Sequence, residues 1–534
     1  MPVSFLLTAG VAAFASSLPS INQRLAPDSS GWDVRHYTIE VAVDPEAQTI
    51  RGRVTILARV TAERLDTVRL DLGQALTIDS VTIPRGLLGF SRAGDRVAVA
   101  GRRAWGRNER LEITIWYGGH PDDGLLFETH AGLPAVASYG LPYHARRWWP
   151  CKDTPADKAE EGADLLVTVP RGLVVASNGR LVRHVLEPRG TERYAWTESY
   201  PIYPDAISIA VANYASFVRF YHDSAADSMP LTFYVYPEDR AKAERDFAGL
   251  IEMLESYVAT FGPYPFRREK YGVAEFPIRS FREHQTLPSY GATLITGDRR
   301  NDWILAHELA HQWFGNLLTV ANWSHIWLNE SFATYAFALW QEHRGGDSAY
   351  RAAMHGLYHS DFEGTLYVPD SMDVSHFFGP TTFSKGAWVL HMLRHVMGDS
   401  SFFRALRAYV REFSYQNVIT EDFQRVCERE YGKPLDWFFK EWVYGTSEPA
   451  YVLKWAPAAQ GTDSTTVVNI RQTSGAGTFT MPLDLRVSRA RGDTTLVVWD
   501  SLATQRWDLR LGRGTTGVVL DPDNWVLRRM DSNQ

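Results

Sequence analysis

The sequence is poor in cysteine, with only Cys151 and Cys427 among its 534 residues. Two thiols cannot build a cysteine-rich zinc site, so any bound metal would be held by histidines and carboxylates. An excess of positive charge is also missing, because 55 lysines and arginines stand against 62 acidic residues, for a net charge of −7. Without a basic stripe, the composition argues against nucleic acid as a partner.

Long apolar runs are scarce, and the clearest one lies at the N-terminus, MPVSFLLTAGVAAFASS. Its apolar stretch from Phe5 to Phe14 leads into an Ala13-Phe14-Ala15 site suited to signal cleavage, although no basic residue precedes it. No later segment reaches the roughly 20 apolar residues that a membrane span needs. We therefore predict a signal peptide at 1–15, a linker at 16–31, and an exported protein, periplasmic or secreted, with no transmembrane span in the mature chain.

The rest of the chain divides into three segments by hydrophobic periodicity. Residues 32–218 alternate apolar and polar positions and are rich in β-branched residues, which predicts an antiparallel β domain. Residues 219–445 are mainly helical, and 446–534 return to strand patterns typical of a small β-sandwich. The predicted fold class is multidomain α+β. Helices are predicted at 241–262, 301–315, 331–344, 383–397, 400–413, 420–431 and 434–443.

The segment HELAHQWFGN at 307–316 places two histidines and a glutamate on an otherwise apolar helix. His307 and His311 are four residues apart, so they share a helix face and lie about 6 Å apart along the axis. A buried Glu308 without a partner would cost several kcal/mol, and a divalent cation would remove that cost. Zinc fits best, because it accepts both imidazole and carboxylate ligands.

A third ligand is expected, because catalytic zinc sites use three protein groups and leave one position for water. Glu330 begins a second helix after eighteen intervening residues, and a helical hairpin would return it to the metal. A glutamate at a helix start can also serve the helix dipole, but beside HExxH we interpret Glu330 as a ligand. We predict one zinc ion on His307, His311 and Glu330, with Glu308 as the base that activates the zinc-bound water.

HELAHQWFGN, eighteen residues and LNES together resemble the gluzincin (HExxH-x18-E) zinc aminopeptidases, the family of alanyl aminopeptidase and leukotriene hydrolase. The resemblance implies a β-saddle N-terminal domain, a thermolysin-like catalytic domain, a short C-terminal β domain, and hydrolysis of peptides. It extends over DVRHYTIEVAVDP (33–45), WWPCKDTPADKA (148–159), VVASNGRL (174–181) and FSKGAWVLHMLRHVMGD (383–399).

Amine recognition departs from the family pattern. The family's Gly-x-Met-Glu-Asn/His segment, whose Glu binds the substrate amine, corresponds to SFREH at 280–284. Glu283 and His284 match it, whereas Ser280 and Arg282 do not, and Arg282 could form an ion pair with Glu283. Leu141 stands where a second amine-binding Glu is usual. The resemblance thus makes Glu283, His284 and Arg282 the candidate substrate-binding residues.

Catalytic support departs from the pattern as well. Phe383 replaces the oxyanion-stabilising Tyr, and the loss of one such donor costs about 10²–10³ in rate. Phe337 replaces an acidic residue that supports the zinc ligands. The candidates for a hydrogen-bond donor that replaces this Tyr are Tyr358, Tyr367 and His376.

Three functions remain open at this point. The leading interpretation is a zinc metallopeptidase of aminopeptidase type. The first alternative is a catalytically weak or inactive zinc-binding relative that binds peptides or a protein partner, which Phe383 and Leu141 favour. The second is a peptidase of altered specificity, in which Arg282 meets an acidic group or a carboxylate of the substrate. The oligomeric state, the preferred N-terminal residue and the pairing of the two cysteines stay open.

Overall fold

The computed structural model describes residues 30–529 except 141, 225–226, 360–361, 373, 458–464, 474–476, 490–491 and 512–513. The predicted signal peptide, nearly all of the predicted linker, and Leu141 lie outside the described residues. Along the chain, a β region is followed by a helical region and then by a second β region, which confirms the predicted multidomain α+β fold.

The N-terminal region forms a ten-stranded sheet and a four-stranded sheet. Alternating side chains of the strands are buried, as in the first strand, where Trp32, Val34, Tyr37 and Ile39 point into the core. The strands are β1 (Trp32–Asp44), β2 (Thr49–Val60), β3 (Arg64–Asp71), β4 (Leu76–Ile83), β5 (Gly86–Ala93), β6 (Arg96–Gly106), β7 (Arg110–Gly119), β8 (Leu125–His130), β9 (Leu133–Ser138), β10 (Ala163–Pro170), β11 (Val174–Ser177), β12 (Arg180–Glu187), β13 (Thr191–Glu198) and β14 (Ile209–Ala212).

The larger sheet has the order β12-β13-β10-β1-β2-β7-β4-β5-β6-β3, and the smaller one the order β11-β14-β9-β8. Pairing is antiparallel apart from β1 with β10, which run parallel from Tyr37 opposite Ala163 to Ala42 opposite Thr168. β10 follows β9, a strand of the smaller sheet, so it reaches β1 through a long connection and not through a hairpin, which allows the parallel pairing.

The central region begins with a five-stranded sheet in the order β15-β16-β17-β19-β18. Its edge strand β18 carries Phe281 and Arg282 and lies beside the helix that contains HExxH, with the rings of Phe281 and His307 6.0 Å apart. The strands are β15 (Ala215–Ser224), β16 (Asp227–Val235), β17 (Tyr271–Phe276), β18 (Phe281–Arg282) and β19 (Ser289–Gly291).

Helices form the rest of this region, and a short parallel strand pair links two of their connections. The helices are α1 (Arg240–Asp246), α2 (Leu250–Phe261), α3 (Asp302–Ala310), α4 (Trp327–Gly356), α5 (Gly386–Met397), α6 (Asp399–Glu412), α7 (Thr420–Tyr431) and α8 (Asp436–Trp442), and the strand pair is β20 (Thr319–Val320) with β21 (Asn417–Val418).

Three predicted helices differ clearly from the structure. The helix predicted at 241–262 is divided into α1 and α2 by a 3-10 turn at Phe247–Gly249. The helix predicted at 301–315 ends at Ala310, because the next amides of Gln312 and Trp313 bond the carbonyls three residues back instead of four. The helix predicted at 331–344 begins earlier, at Trp327, and continues to Gly356 across a kink at Gly346, whose φ of 65° suits glycine.

The C-terminal region consists of two three-stranded sheets, which confirms the predicted β-sandwich. It packs against α5, where Trp525 stacks on His391 and His395. The sheets are β22-β23-β26 and β25-β24-β27, with strands β22 (Tyr451–Pro457), β23 (Thr465–Gln472), β24 (Met481–Arg489), β25 (Thr494–Asp500), β26 (Thr504–Arg510) and β27 (Thr515–Leu520).

Two further points concern the whole fold. Cys151 and Cys427 are both buried and both free, so no disulfide joins them. No helix within the described ranges is both long and apolar enough to cross a membrane.

Candidate metal centre and substrate cleft

Helix α3 presents His307 and Glu308 to the interior of the molecule. The residues around its axis from Ile304 to Ala310 are all buried, as expected for a helix that is apolar nearly all round. Trp303, at the beginning of the helix, is the exception and is 47% exposed. The apolar surroundings therefore hold the polar side chains of α3 in a water-poor environment.

The first turn of α4 brings Glu330 to the two histidines. The Nε2 atoms of His307 and His311 are 3.0 Å apart, and each lies 3.4 Å from Oε2 of Glu330. One ligand atom from each residue lies within 4.8 Å of the others, and all three side chains are buried. Two imidazole nitrogens and one carboxylate oxygen thus converge on one point, which is the donor set that zinc accepts.

The opposite ring nitrogens of both histidines are occupied. Nδ1 of His311 donates to the carbonyl of Phe314 at 3.0 Å. Nδ1 of His307 lies 3.4 Å from the hydroxyl of Thr334, which itself donates to the carbonyl of Glu330 at 2.8 Å. With a metal bound, Nδ1 would carry the hydrogen of each ring and Nε2 would offer its lone pair to the metal.

The electrostatics of this cluster favour a cation. Burial raises the pKa of Glu308 well above its usual range, and its Oε2 has no hydrogen-bond partner within the described part of the chain. Burial lowers the pKa of His311, but the nearby carboxylates, Glu330 first, outweigh burial and raise it to about 10. Burial acts to raise the pKa of Glu330, yet His311 and the hydrogen bonds from both imidazoles lower it to about 2. A divalent ion at the convergence point would stabilise the same carboxylates.

A cleft of about 540 Å³ opens from this cluster. Its walls come from the N-terminal β region, the edge strand β18, helices α3 and α4, and the segment before α5. The lining residues are Gly140, Pro142, Tyr203, Asp205, Ala206, Phe281, Arg282, Glu283, His284, His307, Glu308, His311, Trp323, Glu330, Phe378 and Phe383.

All three predicted substrate-binding residues line the cleft, but Arg282 and Glu283 do not form the ion pair that the sequence suggested. The guanidinium of Arg282 instead lies 3.8 Å over the ring of Tyr139, and its Nη1 donates to Oγ of Ser280 at 3.0 Å. The stacking on Tyr139 holds the guanidinium against the N-terminal β region and away from Glu283. Burial raises the pKa of Glu283, and His311 opposes that effect.

His284 is buried beneath the loop that precedes residue 141. Its Nδ1 lies 3.1 Å from Oγ of Ser289, and burial together with Arg282 lowers its pKa to about 3, so the ring is neutral. A Cβ atom at Gly140 would lie 2.8 Å from Nε2 of His284, which explains why a glycine stands there. His284 therefore supports the wall of the cleft.

Two family models match the chain. The peptidase M1 N-terminal domain matches residues 34–203, and the peptidase family M1 domain matches residues 278–442, which include the histidine pair and Glu330. Together the two segments span more than half of the sequence. The chain belongs to peptidase family M1. The gluzincin resemblance is thereby confirmed, and so is a single zinc ion as the cofactor.

Similar proteins include aminopeptidase B of Mus musculus, which is 28% identical over 423 residues, covering 71% of this chain and 62% of the relative. Aminopeptidase M1 of Arabidopsis thaliana is 28% identical over 335 residues, covering 59% of this chain and 37% of the relative. The chain thus spans less than two thirds of the length of these curated relatives.

Solved structures are similar over a larger share. A mutant M1 zinc metallopeptidase of Deinococcus radiodurans, bound to Tyr-Ser-Ala, has a TM-score of 0.70 and 26% identity, covering 79% of this chain and 96% of that one. Aminopeptidase A of Legionella pneumophila, in complex with aspartic acid, has a TM-score of 0.81, covering 95% of this chain and 60% of that one. Its 17% identity shows a shared fold alone.

In this M1 chain, the support for His307 comes from a residue that sequence reasoning missed. Phe337, where the family has an acid, is partly buried and packs near Trp340, with the ring centroids 6.1 Å apart. Thr334 contacts Nδ1 of His307 instead. The sequence spacing did indicate this contact, because Thr334 lies four residues after Glu330 and so on the same face of α4.

Phe383 occupies the oxyanion position, and the three residues predicted as substitute donors do not line the described cleft. Phe383 lines the cleft with its ring 5.9 Å from that of His307. Tyr358 lies away from the cleft and donates to the carbonyl of Arg528, and neither Tyr367 nor His376 lines the cleft in the described structure.

Tyr203 lines the cleft in their place and is contributed by the loop between β13 and β14. Burial, followed by the carboxylates of Glu283 and Asp205, raises its pKa well above 10, so its hydroxyl remains a neutral donor. This hydroxyl makes no hydrogen bond among the residues that the structure describes. No sequence pattern distinguishes Tyr203, because it lies more than a hundred residues before the HExxH motif.

Proposed function

We propose that this chain is a zinc-dependent peptidase of aminopeptidase type, in which His307, His311 and Glu330 hold the zinc ion and Glu308 is the catalytic base. One observation carries the proposal: two Nε2 atoms and one carboxylate oxygen converge beside a buried carboxylate whose Oε2 has no partner in the described chain. A purely structural zinc site has no need of Glu308, so its position favours catalysis.

The roles of the side chains follow from their positions. Zinc, when bound, supplies a Lewis acid that polarises a peptide carbonyl and lowers the pKa of water. Glu308 follows His307 directly and takes a proton from the attacking water, then passes it to the leaving amine. Glu283 lines the same cleft and binds the ammonium group of the substrate, which places the bond after the first residue at the reacting centre.

The proposed substrates are peptides with a free amino terminus. The Tyr-Ser-Ala substrate bound to the Deinococcus metallopeptidase supports this substrate class. We also propose that the protein acts after export, in the periplasm or outside the cell, which rests on the apolar stretch from Phe5 to Phe14. N-terminal sequencing of the secreted form tests the export proposal, and an intact N-terminus on cytoplasmic protein would contradict it.

The catalytic proposal is tested by digesting a peptide library and identifying the products by mass spectrometry. We expect stepwise removal of single N-terminal residues and loss of activity with a chelator. Glu308→Gln should retain zinc but lower kcat by about 10²–10⁴, the usual contribution of a general base. Zinc content measured on both proteins separates loss of the base from loss of the metal.

The second candidate is a weak or inactive relative that binds peptides or a protein partner, and the observation that favours it is Phe383 at the oxyanion position. Full zinc occupancy with no cleavage across the library would support this candidate. Purified protein that was never exposed to a chelator and contains no zinc would refute both candidates.

A further inference from the structure

Arg282 places an unpaired cation in the wall of a cleft that otherwise carries carboxylates. It lines the cleft beside Glu283, and no carboxylate in the described structure lies within ion-pair distance of it. Burial lowers the pKa of its guanidinium, and the carboxylates that oppose this effect are Glu283, Glu308 and Glu330. Arg282 is half-buried, and an arginine withdrawn from water to this extent is normally paired, because an unpaired and partly desolvated charge is costly.

The donors of Arg282 are only partly used. Nη1 donates to Oγ of Ser280 and to the carbonyl of Phe281, whereas the buried Nε has no partner in the described chain and no hydrogen bond engages Nη2. Because Nε is closed to solvent, Nη2 is the donor that a carboxylate in the cleft would engage. The ring of Tyr139, 3.8 Å from the guanidinium carbon, fixes the plane of the group.

The position of Arg282 identifies which carboxylate it can meet. It is adjacent in sequence to Glu283, the residue assigned to the substrate ammonium group. A carboxylate that reaches Arg282 therefore lies close to the first residue of the substrate, whereas the C-terminal carboxylate of a longer peptide lies beyond the bond that is cleaved. The side chain of an N-terminal aspartate or glutamate meets this condition.

We propose that Arg282 binds the side-chain carboxylate of the first residue of the substrate, so that the cleft selects peptides that begin with Asp or Glu. This inference rests on the proposed aminopeptidase function and adds the substrate class to it. Glu283 and Arg282 then recognise the two opposite charges of one residue, its ammonium group and its side-chain carboxylate.

The test compares Glu and Gln substrates, which differ in charge but hardly in shape. kcat/KM is measured for Glu-, Asp-, Gln-, Ala- and Lys-amidomethylcoumarin with the zinc-loaded full chain. We expect the wild type to prefer Glu over Gln, and Arg282→Met to lower the Glu/Gln ratio by about 10–100-fold, the value of one or two charge-assisted hydrogen bonds. Arg282→Lys should restore part of the ratio, because it keeps the charge without the fork.

Arg279→Met is the matched control, since Arg279 is exposed, lies three residues away and does not line the cleft. It should leave the Glu/Gln ratio unchanged. An unchanged or higher ratio in Arg282→Met, with the same melting temperature as the wild type, would overturn the inference while leaving the peptidase proposal intact.

A binding measurement keeps the two proposals separate if no substrate is cleaved. Calorimetric titration of zinc-loaded Glu308→Gln protein with Glu-Ser-Ala and Gln-Ser-Ala reports recognition without turnover. Tighter binding of Glu-Ser-Ala that disappears in the Glu308→Gln/Arg282→Met double variant supports the inference. Equal binding of the two peptides overturns it.

Discussion

Thr334→Val tests whether a threonine hydroxyl orients a zinc ligand in this chain. Valine has nearly the same shape but cannot accept a hydrogen bond from Nδ1 of His307. Residues that support a metal ligand in this way are worth about 10–100-fold in metal affinity. The contact of 3.4 Å is long for a hydrogen bond, so we expect the lower end of that range, about tenfold or 1.4 kcal/mol. Most of the loss should appear as weaker zinc binding.

The assay is the zinc dissociation constant, measured by competition with a chromophoric chelator, together with the melting temperature of the zinc-free protein. Thr260→Val is the matched control, because the hydroxyl of Thr260 also donates to a helix carbonyl four residues back, that of Ser256, but lies in α2, far along the chain from the histidine pair. Equal zinc affinity in Thr334→Val, Thr260→Val and the wild type would refute the role assigned to Thr334.

Three further predictions concern the cleft and the interface of the N-terminal region. Phe383→Tyr should raise kcat by up to about 10²–10³, because it restores a hydrogen-bond donor to the oxyanion. An unchanged kcat on a neutral substrate would mean that another residue already donates to the oxyanion. Tyr203→Phe should lower kcat/KM by about tenfold with unchanged zinc content, the value of one hydrogen bond to substrate, and a wild-type value would exclude that contact. Burial lowers the pKa of Lys158 to about 7, where its Nζ donates to the carbonyls of Asn316 and Leu317. Between about pH 7 and the ordinary lysine pKa of about 10.4, the unfolded chain therefore binds up to one more proton than the folded one, so the free energy of unfolding should rise with pH by up to about 1.4 kcal/mol per unit. Lys158→Met should remove this slope in urea titrations, and a persistent slope would assign it to other groups.

Short-range patterns predicted much of this fold. The alternation in 32–218 and 446–534 and the helical spacing of the central region each depend on neighbouring residues, and the regions have that character. The five-stranded sheet in the central region was not predicted. Its strands β18 and β19 are two and three residues long and show no period, and the longer strands β15, β16 and β17 lie in or beside a region whose helical spacing dominates. The early end of α3 at Ala310 was missed for a similar reason, since a switch in hydrogen-bond spacing leaves the apolar pattern intact.

By itself, the sequence determined the set of proposed metal ligands, because the spacing of His307 and His311 specifies one helix face and the eighteen-residue interval allows Glu330 to return to it. Only the tertiary structure decided which other side chains surround that chemistry. Thr334 contacts His307, Tyr203 lines the cleft, and Arg282 stacks on Tyr139 instead of pairing with Glu283. The physical reason is that helix geometry relates residues a few positions apart, whereas contacts between the β region and the helices depend on how whole layers pack.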